Sequence, residues 1–242
     1  MKRSKFSKRS TAKSKAWLVA QLARLQTELG LHDEARRSIE RFAELAPLLD
    51  KHTEQWLHPQ RADAAYLCGD YAAALHHSQL SESPFHKIVA DRMQAAGEDA
   101  ARVLLPLGFV RQHHMTCAPA TLTLVSRFWQ MPVNHLSVVE AICYDGTPAR
   151  SERDWAEKHG WLAREFCVTW EDTVKLIDRG IPFTLTTVEP GNAHLQAVIG
   201  YDSRRGTILA RDLTSGVWSN MRRRKPSNGI ARPVRGEWPW CR

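Results

Sequence analysis

The chain has 242 residues, 43% apolar and 25% charged, the composition of an ordinary globular protein long enough for one large domain or two small ones. It contains no apolar run of the roughly 18–20 residues a membrane-spanning helix needs, and the stretch after the basic N-terminus is too polar for a signal segment. A cytoplasmic protein without membrane insertion is therefore expected. The net charge of +8 is not a nucleic-acid signature, because residues 1–15 carry +7 and residues 221–242 carry +6, leaving −5 on the body between them. No specific nucleic-acid partner is expected.

Residues 1–15 read as a disordered basic arm. From 16 to 100 the period is helical. Trp17, Leu18, Leu22, Leu25 and Leu29 recur at helical spacing and Gly30 closes the run. A second helix is predicted from Asp33, placed as its cap, to Leu45 before Pro47. The phrase Leu29-Gly30-Leu31-His32-Asp33-Glu34-Ala35 is matched by Cys68-Gly69-Asp70-Tyr71-Ala72-Ala73-Ala74 after 39 residues. It resembles the tetratricopeptide-type helix-turn-helix; two copies fit an irregular helical bundle equally well. Either arrangement suggests a surface for a protein partner rather than chemistry.

Residues 101–214 change in texture. Pro106, Gly108 and Pro119 interrupt the helical period, and strands are predicted over Phe183–Val188, Leu195–Ile199 and Thr207–Arg211. Short helices are predicted over Ser137–Ile142, Glu152–Gly160 and Glu171–Gly180. Helices first and antiparallel strands later give an α+β domain. Residues 215–242, with Trp218, Trp238 and Trp240 among arginines and prolines, show no period and read as a basic, non-core tail.

The five cysteines, Cys68, Cys117, Cys143, Cys167 and Cys241, form no CxxC pair, so neither a disulfide framework nor a zinc ribbon is signalled. His113, His114, Cys117 and His194 match no zinc spacing either, and no cofactor is expected. Cys117 stands apart because helical spacing starts immediately after it, through Leu122, Val125 and Trp129, with Pro119 in the first turn. Unpaired N–H groups and the positive helix end favour a thiolate at such a position. Gln112, five residues upstream, can bring its amide to the Cys117 N–H, and two such donors suit an oxyanion. A thiolate needs an imidazole partner. His194 opens a strand, and Asp212 ends the next one after a turn at Ser203–Gly206, where it could fix the tautomer of that imidazole.

Gln112-x4-Cys117-Ala-Pro-Ala-Thr-Leu resembles the nucleophile motif of the bacteriocin-processing, double-glycine-leader peptidases and their relatives in the papain-like clan. Ala193-His194-Leu-Gln-Ala-Val-Ile-Gly-Tyr-Asp202 resembles their histidine strand, and Arg211-Asp212 their acidic position. The resemblance spans about residues 105–214. It implies a papain-like core that cleaves a peptide or protein, with Cys117 as nucleophile, His194 as base, Asp212 as its orienter and Gln112 in the oxyanion hole. Relatives usually carry Gly after the cysteine, where this chain has Ala118, and continue with further strands after the acidic residue. A catalytically silent relative, acting as an interaction scaffold through its helical region, is the alternative. Hydrolysis and acyl transfer share the same thioester chemistry and are not separated by sequence.

Overall fold

The computed structural model describes residues 3–48, 50–189, 192–211, 218–222 and 234–237. The chain divides into two compact units, Met1–Glu98 and Asp99–Arg242. Among the described residues no helix is long and apolar enough to cross a membrane.

The first unit is helical: α1 (Arg3–Glu28), α2 (His32–Leu45), α3 (Lys51–Leu67), α4 (Tyr71–Leu80) and α5 (Pro84–Ala95), each packed on the next. Where a disordered arm was expected, α1 begins at Arg3. The Lys/Arg/Ser/Ala-rich run contains no Gly or Pro before Gly30, so nothing in it stops a helix propagating backwards. Ala16, Ala20 and Ala23 bury against Ile39, Phe42 and Leu57, and the rings of Trp17, Phe42 and Trp56 meet at 5.1–5.3 Å.

The two matching phrases form matching turns. Gly30 and Gly69 adopt φ of +76° and +77°, a conformation open to glycine, and a helix starts two residues later in each case. The cap expected of Asp33 is not formed: Leu31 occupies the cap position without a side-chain bond, and Asp33 lies inside the first turn, where it serves only the helix dipole. In the second copy Asp70 does cap α4, accepting from the Ala73 N–H at 3.1 Å, and also accepts from Arg36 Nη2 at 2.6 Å.

The second unit is α+β. It runs β1 (Arg102–Leu104), α6 (Cys117–Phe128), α7 (His135–Ile142), α8 (Ala149–Lys158), β2 (Leu162–Glu165), α9 (Trp170–Asp178), β3 (Phe183–Glu189), β4 (Asn192–Asp202), β5 (Thr207–Arg211), β6 (Trp218–Arg222) and β7 (Val234–Glu237). Described strands form an antiparallel sheet in the order β1-β4-β5-β6, with β3 also pairing β4, and a separate β2–β7 pair. β6 pairs β5 from Thr207↔Arg222 to Arg211↔Trp218. Part of the stretch expected to be non-core is thus strand: its backbone completes ladders, a role that does not require an apolar period.

The helix α6 is buried on nearly all sides, with Ala118 to Ser126 buried throughout. Thr123 and Ser126 satisfy their hydroxyls by donating to the carbonyls four residues back, Pro119 and Leu122, both at 2.7 Å. Its apolar side chains share a core with Leu107, Val110, Trp155, Ala197 and Ile199. On the other side of the sheet, Val198 and Tyr201 of β4 pack with Leu176 and Ile177 of α9 and with Phe183 and Leu185 of β3.

Candidate active site

Cys117 is the first residue of α6 and is partly buried. The turn before it is tightly pinned. The Thr116 hydroxyl accepts from the His113 N–H at 2.8 Å and donates to the His113 carbonyl at 3.1 Å, and Met115 takes φ +61° to make the corner. Thr116 occupies the N-cap, yet its side chain makes no cap bond. The Ala120 N–H is used by the Thr116 carbonyl and Pro119 has no N–H. The N–H groups of Cys117 and Ala118 therefore stay open among the described residues.

Gln112 arrives on a segment fixed to the sheet. Leu105 N–H donates to the Ile199 carbonyl at 2.7 Å, Arg211 Nη2 donates to the Leu107 carbonyl at 2.9 Å, and Leu107 and Val110 are buried in the α6 core. Burial lowers the pKa of Arg211, so this guanidinium is held in a poorly solvated place by that contact. The Gln112 side-chain oxygen is buried without a hydrogen-bond partner among the described residues. A half-turn of the amide exchanges oxygen and NH2.

His194 is the third residue of β4, partly buried, and pairs with Thr187 of β3. One hydrogen bond joins its strand to the cysteine helix: Thr121 Oγ1, one helical turn after Cys117, donates to the Leu195 carbonyl at 3.0 Å, with both residues buried. The structure thus brings the start of α6 and the start of β4 together, but no hydrogen bond joins Cys117 Sγ to the His194 ring among the described residues. Strand alternation sets His194 in phase with Gln196 and Val198, whereas Ala197 and Ile199 pack with α6. Asp212 lies outside the described residues; Arg211 before it pairs with Ala197, three residues beyond His194.

Two further groups line the approach to α6. Cys143 Sγ donates to the Met115 carbonyl at 3.3 Å. His135 stacks on His113 with ring centroids 6.1 Å apart, and burial, then the neighbouring His113 and Arg127, push its pKa down. Sequence reasoning missed Thr121, Thr116 and Arg211. The signal for Thr121 was a hydroxyl at helical spacing from Cys117 in an otherwise apolar helix; Thr116 and Arg211 carry no comparable mark.

A comparison with curated proteins gives no match. Among solved structures, the peptidase domain of Streptococcus ComA, a bi-functional ABC transporter involved in a quorum-sensing pathway, aligns at 18% identity over 56% of this chain and 98% of that one, with a TM-score of 0.43. Residues 105–228 match the model of the Peptidase_C39 like family, past the point near residue 214 where the motifs fade to the eye. With just over half of the chain in that match, and with the helix-then-antiparallel-sheet order of a papain-like core, the chain belongs to the Peptidase_C39 like family.

Proposed function

We propose that this chain is a cysteine peptidase in which Cys117 attacks the scissile carbonyl of a peptide or protein. The oxyanion formed then accepts from the open Cys117 N–H and from the Gln112 amide. His194 serves as base and then protonates the leaving amine, Asp212 orients that imidazole, and water releases the thioester. The observation that supports the reading is the bond from Thr121 to the Leu195 carbonyl, which ties the cysteine-bearing helix, one turn after its uncapped start, to the strand backbone next to His194. The helical unit, read as a tetratricopeptide-like stack, would present the substrate or a protein partner.

The test is limited alkylation followed by peptide mapping. Iodoacetamide near neutral pH is expected to label Cys117 before the other four cysteines, and His194→Ala to slow that labelling at least tenfold, since general acid–base partners contribute about 100-fold or more. Equal labelling of all five thiols, indifferent to His194→Ala, would overturn the proposal.

A second reading, a silent scaffold, is favoured by Ala118, whose methyl is buried beside the open N–H groups. Peptide turnover that vanishes in Cys117→Ala would remove it.

A further inference from the structure

The helical unit holds a pair of imidazoles unrelated to the cysteine site. His58 on α3 and His77 on α4 turn their Nδ1 atoms towards each other, 3.4 Å apart, with ring centroids 5.6 Å apart and planes tilted by 34°. The separation is longer than the roughly 2.7–3.2 Å of a good hydrogen bond from nitrogen. It matches the span of two zinc–imidazole bonds: two lengths of about 2.0–2.1 Å at a tetrahedral angle reach about 3.3–3.4 Å. Both residues are partly buried. Arg61 is paired with Glu40, Nε to Oε1 at 3.0 Å, so its charge does not stand alone against a cation.

We infer that His58 and His77 chelate one divalent transition-metal ion of the imidazole-preferring class, zinc or its neighbours, across the α3–α4 hairpin. Among the described residues no group of three or more ligands gathers, so water completes the coordination shell and the ion staples two helices rather than serving catalysis. The hairpin fixes the approach. Gly69 and the Asp70 cap set the turn; His58 lies eleven residues before Gly69 and His77 seven after Asp70.

The probe is Zn2+ titrated calorimetrically into the untagged full chain, with thermal midpoints measured in its presence and absence. One-to-one binding and a zinc-dependent rise in midpoint are expected. His58→Ala, His77→Ala and the milder His77→Gln should each weaken binding by about tenfold or more, since even a residue that only supports a ligand costs 10–100-fold. The same variants should lose the midpoint rise. His52→Ala on the exposed start of α3, and prior alkylation of the thiols, should change neither readout. Unaltered binding in His77→Gln, loss of binding on alkylation, or no binding to the unmodified chain would overturn the inference.

Discussion

Thr121→Val isolates the bond between the cysteine helix and the histidine strand. Valine keeps the shape of threonine but replaces the hydroxyl that donates to the Leu195 carbonyl at 3.0 Å. Thr121 is 0% exposed and Leu195 is 3% exposed. Water cannot take the vacated place, so the carbonyl loses this partner at a cost of about 1–3 kcal/mol. Thr121→Ser retains the donor and removes one buried methyl, costing about 1 kcal/mol. By circular dichroism, valine should lower the thermal midpoint by roughly 3–10 °C and serine by less. The sharper readout is chemical: valine should slow Cys117 alkylation towards the His194→Ala rate, whereas serine should not. If valine is no more damaging than serine, and alkylation is unchanged, the bond does not position the two segments.

Gly200→Ala should unfold the β1–β4 edge, because a Cβ there would collide with the Val103 carbonyl oxygen and sit 3.2 Å from Leu104 Cα, and backbone does not yield as a flexible side chain does. A loss of roughly 3 kcal/mol or more, read by urea unfolding, is expected. Glu152 is buried, and desolvation, reinforced by Glu165, raises its pKa to about 7. Because the folded value lies above the unfolded one near 4.5, its stabilising effect is complete below about pH 4.5 and is lost as pH rises through about 7. The change amounts to about 3 kcal/mol at most, and Glu152→Gln should flatten that part of the stability–pH profile and stabilise the protein at pH 8. Thr116→Val should free the turn held by two hydrogen bonds to His113 at 2.8 and 3.1 Å, cost about 1–2 kcal/mol and reduce Cys117 labelling.

Much of the second unit was legible because side chains decide it. Thr207–Arg211 is strand over the residues its β-branched, apolar run suggested, and α6 begins at the cysteine where the helical spacing began. Elements whose partners are decided by distant backbone were not legible. β1 and β2 are short and carry charges, and β6 reads as tail until β5 supplies its ladder. Asp33 misled for a related reason. The left-handed glycine sets where each helix begins, so the cap position falls one residue after it, on Asp70 in one copy and on Leu31 in the other. The helix that starts at Cys117 was readable, whereas the hydroxyl fastening it to the strand of His194 depends on a fold that brings residues 74 apart in sequence together.

α6 is one of the helices that begin without a side-chain cap, as α2, α5 and α8 also do. Asp50, Asp70, Asn134 and Thr169 cap α3, α4, α7 and α9 with side-chain bonds. α8 begins after Pro148, which has no side chain able to cap, and at α5 the Ser83 hydroxyl meets His86 Nδ1 at 3.1 Å instead. At α6 the cap residue is Thr116, a type that caps well, yet its hydroxyl is turned to His113 in the preceding turn. Forgoing a cap costs about 1 kcal/mol, and here the bonds to His113 offset it. The outcome is a pinned corner that leaves the N–H groups of Cys117 and Ala118 without acceptors among the described residues, five residues after a Gln112 whose buried amide oxygen also has no partner among them. In the cysteine-peptidase reading proposed above, donors left open on a fixed backbone would lose little entropy on meeting the oxyanion that forms on the attacked carbonyl, and electrostatic stabilisation of such an intermediate depends on that preorganisation.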